Sequence, residues 1–139
     1  MNSTQIEENL KKLIANFSKE NFIFDLLLTY GLPKTTITLL RKGKHNLSKK
    51  EGQIILKKKL FFQESENQDL HALIDSIQKD EATHRHNPRF IIVTDYDNIL
   101  AFDVKTKDTL DEKIINLNKR FDFFLPWAGM EKTSHKNEN

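Results

Sequence analysis

Apolar residues recur at helical spacing along the first forty residues and in strand-like runs beyond them. Ile6, Leu10, Leu13, Ile14 and Phe17 fall on one helical stripe, and Thr4-x-x-Glu7 has the form of a capping box, which predicts an amphipathic helix to about Phe17. "NFIFDLLLTYG", Asn21 to Gly31, is apolar nearly all round, and its length and closing glycine predict a buried helix. Pro33 suits a first helical turn and Gly43 an end, so a third, short helix is predicted over Pro33 to Lys42. After the linker "KGKHNLSKKEGQ", the run "IILKKKLFF" predicts a strand pair or one bent strand around its triple lysine.

Leu70, Leu73, Ile74 and Ile77 then mark a helix from Asn67 to about Ala82 with an acidic outer face, ended by the breaker Asn87-Pro88. Arg89 to Tyr96 and Ile99 to Lys105 are β-rich, and Asp97-Asn98 between them supplies a tight turn. In that hairpin the numbers of paired residues sum to 195, which puts Ile91 and Val93 on one face with Leu100, Phe102 and Val104. Leu117, Phe121, Phe124 and Leu125 suggest a last helix interrupted near Pro126, with Trp127 and the neighbouring phenylalanines as core. The expected architecture is a small α/β (α+β) domain: a mixed sheet with a hairpin in the C-terminal half, flanked by helices.

Composition narrows this picture. With 139 residues, 37% of them hydrophobic, the chain can build one modest core, so one domain over 1–132 and a polar tail over 133–139 are expected. The absence of cysteine removes disulfides and thiolate-bound zinc and suits a cytoplasmic location. The start "MNSTQIEENL" lacks the order of a signal peptide, and no apolar run approaches the roughly 20 residues that span a bilayer. Charge is more informative in its distribution. Between Lys34 and Lys59 nine Lys or Arg stand against one acid, Glu51, a net +8 in a chain whose total is +2. A polyanion, most simply DNA, is the partner such a stretch suits, and Lys34, Thr35, Thr36, Arg41, Lys42, Lys44, Lys49, Lys50, Lys57, Lys58 and Lys59 are the candidate contacts.

Two more specific chemistries compete with that reading. Asp95, Asp103 and Lys105 follow the order Asp…Asp-x-Lys, and phosphodiester hydrolysis needs two carboxylates sharing Mg²⁺ with a lysine near the attacking water. The predicted register opposes it: Asp95 shares the apolar face, Asp103 and Lys105 point away, and the aspartates are offset by about three residues, roughly 10 Å. Separately, "LPKTTITLLRKGKHNLS" has the form of a recognition helix and following turn of a helix-turn-helix regulator, with Lys34, Thr35, Thr36 and Thr38 toward bases and Arg41, Lys42 and Lys44 on phosphates. His71 with Asp75, and His84 with His86, supply two ligands each, too few for a metal site.

"NPRFIIVTDYDNILAFDVKTKDTLDEKIINLNKRFDFFLPWAGMEK", together with "FIFDLLLTYGLPKTTITLLRKGKHNLSKKEGQIILKKKLFF" upstream, resembles the N-terminal region of type IIG restriction-modification enzymes. These bacterial defence proteins join endonuclease and adenine-methyltransferase activities in one polypeptide. The resemblance implies a part of such a protein, with DNA and a methyltransferase or specificity part as partners and a restriction-endonuclease-like core. Neither a glycine-rich cofactor loop nor an Asn-Pro-Pro-Tyr motif occurs here, so no S-adenosylmethionine binding is expected of this chain. The family's nuclease module carries Glu-x-Lys on the strand before a helix and a "PRFIIV"-type strand. Here Phe62, Gln63, Glu64 and Ser65 stand at that place, so the site is expected to be degenerate and cofactors absent, with Mg²⁺ required only by an active nuclease.

Overall fold

A computed structural model describes residues 2–131; the polar tail expected over 133–139 lies outside the described residues. Where the sequence suggests one domain over 1–132, the described residues cluster into two compact units. One joins 2–41 to 116–131, and the other is the continuous stretch 42–115.

The first unit begins with α1, Ser3–Ala15, on which Ile6, Leu10 and Leu13 are buried. Its capping box lies two residues earlier than the sequence suggests: Asn2 accepts from the Gln5 N–H at 2.9 Å and the Gln5 side chain accepts from the Asn2 N–H at 3.0 Å. Asparagine caps as well as threonine does, and choosing it lets Thr4 enter the first turn. Phe22, Ile23, Leu26 and Leu27 are buried on α2, Phe22–Thr29, which accounts for its apolar circumference. Gly31, at φ 93°, reverses the chain, and α3, Lys34–Arg41, buries Ile37 and Leu40.

The last run, Ile114–Ala128, consists of 3-10 turns broken at Arg120 and Phe124, where the sequence suggests one interrupted helix. Pro126 has no N–H to donate and disfavours helical geometry at the residue before it, which helps stop a regular helix here. Its aromatic residues still form core. Phe124 stacks on Trp127 at 4.8 Å, both meet Tyr30 edge-on at 5.8 and 5.9 Å, and the Tyr30 hydroxyl donates to the Phe121 carbonyl at 2.7 Å.

The second unit is a five-stranded mixed sheet in sequential order: β1 Gln53–Leu56, β2 Leu60–Glu64, β3 Phe90–Thr94, β4 Asn98–Asp103 and β5 Thr109–Lys113. All neighbouring pairs are antiparallel except β2 and β3, which run parallel, because α4, Leu70–Lys79, and a 3-10 helix, Glu81–His86, carry the chain back between them. The helix predicted from Asn67 to Ala82 is therefore two pieces: Asp80 ends α4 in extended conformation and caps the next turn by accepting from the Ala82 N–H at 2.9 Å. Leu70, Leu73, Ile74 and Ile77 pack on Val93 and Leu100, the face that the apolar alternation assigns to the core. The strand pair expected around the triple lysine is β1 and β2. The lysines form the turn between them, with Lys58 at φ 66°. The fifth strand, "TLDEK", was not anticipated, since it carries one apolar residue, Leu110.

Candidate nucleic-acid interface

The β3–β4 hairpin fixes where its charged ends lie. Paired numbers sum to 193, as in Ile91 with Phe102 and Val93 with Leu100, so the turn is centred on Tyr96-Asp97 and not on Asp97-Asn98. Parity is unchanged and the apolar set stays together, but every partner is displaced by two residues. The cause lies in Asp95. Its Oδ1 accepts from the Asp97 N–H at 2.9 Å and the Asn98 N–H at 2.7 Å, which closes the turn while Tyr96 takes φ 72°. The bond from Asn98 is the largest reason the Asp95 carboxyl sits below its ordinary pKa, with Asp97 adding to it and slight desolvation opposing. Tyr96 in turn donates its hydroxyl to Glu64 at the end of β2, and burial first, then that bond, raises its pKa above the tyrosine range.

Asp103 is at the other end of the hairpin, opposite Phe90 and fully buried. Arg89 grips it with two bonds, Nε to Oδ1 at 2.8 Å and Nη2 to Oδ2 at 3.1 Å. Oδ1 also accepts from the Lys105 and Thr106 N–H groups at 2.9 and 3.2 Å, while the Lys105 side chain is exposed. Five residues of strand, about 17 Å, separate Asp95 from the level of Asp103. The geometry therefore does not bring Asp95, Asp103 and Lys105 together as a metal site. Among the described residues no group of three or more His, Cys, Asp or Glu is placed to hold a metal ion. His71 turns to Asp111 at 2.9 Å, Asp75 pairs with Lys79 at 2.9 Å, and His84 meets the Gln78 carbonyl at 2.8 Å.

The basic residues of 34–59 divide between the two units. In the first, Lys34 and Thr35 are exposed on α3 and Thr36 is half-buried. Arg41 is engaged: its guanidinium lies 4.6 Å over the Phe24 ring, donates to Asn21 Oδ1 at 2.5 Å and approaches Asp25 at 3.8 Å. In the second unit Lys42, Lys44, Lys49, Lys50, Lys57, Lys58 and Lys59 are exposed. Register adds partners that no linear stretch reveals. The β1–β2 turn, the start of β3 and the β4–β5 turn share one end of the sheet, so Lys57, Lys58 and Lys59 are joined there by Lys105 and Lys107. The Lys58 N–H donates to the His86 carbonyl at 2.9 Å, which draws Arg85 and His86 to the same neighbourhood.

The supposed linker between α3 and β1 is also built. Asn46 Oδ1 accepts from the Ser48 and Ile55 N–H groups, both at 2.9 Å, and its amide donates to the Gln53 carbonyl at 3.1 Å. Leu47 N–H donates to the Ile55 carbonyl at 2.9 Å, and Ser48 donates its hydroxyl to the Gln53 side chain at 2.6 Å. Lys49 and Lys50 are thus carried by a loop bonded to the edge of β1. Such side-chain-to-backbone bonds leave no periodic signal, and the Asn-x-Ser spacing is the only trace of them in the sequence.

The family described as "MmeI, N-terminal domain" matches residues 1–139. The chain is similar to the "DNA methyltransferase A" of Bacillus subtilis (strain 168), at 41% identity over 135 residues, 96% of this chain and 15% of that protein. It therefore spans well under a quarter of the length of that relative. No solved structure matches the chain.

Proposed function

Since the chain belongs to the MmeI N-terminal-domain family, we propose that it acts as the N-terminal, DNA-contacting part of a restriction-modification protein and docks on a methyltransferase part. The observation that carries the reading is the gathering of Lys57, Lys58, Lys59, Lys105 and Lys107 at one end of a sheet, where Asp103 is already held by Arg89. Lysines on turns are suited to phosphate contacts, which position a protein on a duplex without reading bases. The name and length of the Bacillus relative support the methyltransferase partner. The β1–β2 hairpin, the α4 crossover and the parallel β3 support a restriction-endonuclease-like sheet with a degenerate site: β2 offers Phe62, Gln63 and Glu64 where Glu-x-Lys would stand, and Glu64 is bonded to Tyr96. This role requires neither S-adenosylmethionine nor Mg²⁺ in the chain.

Fluorescence anisotropy with a labelled duplex over a range of salt tests the proposal. Affinity should fall steeply with salt and show no sequence preference, and replacing Lys57, Lys58 and Lys59 together by Ala should lower the slope by about 2 to 3. An unchanged slope, or no duplex binding at low salt, refutes it. A second reading, the helix-turn-helix regulator, is favoured by the α2–turn–α3 succession with Lys34, Thr35 and Thr38 exposed. A defined operator sequence lost on Thr35→Ala would establish that reading instead.

A further inference from the structure

Between the loop bearing Ser48, Lys49 and Lys50 and the 3-10 helix Glu81–His86 lies a groove of about 310 Å³. Its floor comes from one sheet face, since Gln53 pairs with Gln63 and Ile55 with Phe61, so Ile55 and Phe61 lie side by side beneath it. Leu47, 43% exposed, stands at its edge. Lys49 and Lys50 on one wall and Arg85 on the other, with His86 beside it, give it a cationic rim, against a single acid, Asp80, whose Oδ1 accepts from the Ala82 N–H.

Both walls are held before any ligand arrives. Asn46 and Ser48 bond the loop to β1, while Asp80 caps the 3-10 helix at one end and Asn87, at φ 52°, closes the other. Binding then costs little ordering of the backbone. The mixed lining selects a ligand with an anionic and a flat apolar part. A bare phosphate has no use for Ile55, Phe61 and Leu47, and the volume stands at the small end of ligand pockets, too small for a duplex.

On the footing of the nucleic-acid reading above, we infer that this groove receives one unpaired nucleotide of a DNA strand, its phosphate at Lys49, Lys50 and Arg85 and its sugar and base over Leu47, Ile55 and Phe61. The site differs from the lysine-rich sheet end, which meets duplex backbone. It gives the protein a means of holding a strand end or an unstacked nucleotide without any metal.

The test is binding of the full chain to a labelled single-stranded oligonucleotide, in competition with a nucleoside 5′-monophosphate and with inorganic phosphate. The monophosphate should displace the strand at concentrations where inorganic phosphate does not. The Lys49→Ala/Lys50→Ala/Arg85→Ala variant should bind single strands at least about tenfold more weakly, and its loss on a duplex, to which these cations also contribute, should be at least about threefold smaller. Leu47→Ala, an exposed change that leaves the charges in place, should also weaken single-strand binding. Equal competition by inorganic phosphate, or parallel losses on single strand and duplex, would overturn the groove and leave the duplex-contact role standing. Absence of any nucleic-acid binding by the unaltered chain overturns both.

Discussion

Replacing Asp103 by Asn separates a structural carboxylate from a catalytic one. The substitution keeps the shape of the side chain and removes its charge, leaving Arg89 with a neutral partner. The native carboxylate is fully buried and accepts bonds from Arg89, twice, and from the backbone of Lys105 and Thr106. Breaking a buried ion pair from one side costs about 3–5 kcal/mol. The Arg89 side chain keeps 17% of its exposure, so water partly compensates it and the lower end, about 3 kcal/mol, applies. At about 3–4 °C per kcal/mol for a chain of this size, thermal unfolding followed by circular dichroism should move down by roughly 10 °C. Replacing both partners by apolar residues, Arg89→Met with Asp103→Leu, should restore most of that loss, because the penalty is the orphaned charge. A Asp103→Asn protein that melts with the unaltered chain refutes the reasoning, and does so most sharply if it also loses an Mg²⁺-dependent cleavage that the unaltered chain shows.

Two further outcomes follow from the turns. Asp95 has its pKa lowered in the fold, so its contribution is fully present above the unfolded carboxylate value near 4 and is lost as pH falls through the lower folded value; urea midpoints of the unaltered chain and Asp95→Asn should differ at pH 7 and converge on acidification. Gly52→Ala should cost about 1–2 kcal/mol in the same assay, since Gly52 sits at φ 75° and a Cβ there would meet Glu64 Cγ at 2.8 Å.

Elements with a strong period or strong punctuation were legible in the chain: the three N-terminal helices, the helix of Leu70 to Ile77 and the β3–β4 hairpin all stand near their expected places. Register was read in the right parity and two residues off, because a tyrosine at positive φ is what turn preferences would choose last. What holds it there is the Asp95 side chain and a bond to Glu64, some thirty residues upstream. β5 could not be seen because an edge strand with one buried leucine has no alternation to read. The candidate interface was half visible. A linear count finds Lys57, Lys58 and Lys59, but Lys105 and Lys107 join them only through strand pairing, and the bonded loop of Asn46 reads as a linker.

The first unit is discontinuous in sequence, and that sets a schedule for its synthesis. α1 to α3 leave the ribosome first, yet Tyr30 acquires Phe121, Phe124 and Trp127 only after all 74 residues of the second unit have been made. At about 5–20 residues per second that is an interval of roughly 4–15 s. Throughout it Tyr30 lacks its aromatic partners Phe124 and Trp127, while the sheet, whose strands pair in order with their chain neighbours, can close as it emerges. The earliest helices are thus the last to be completed.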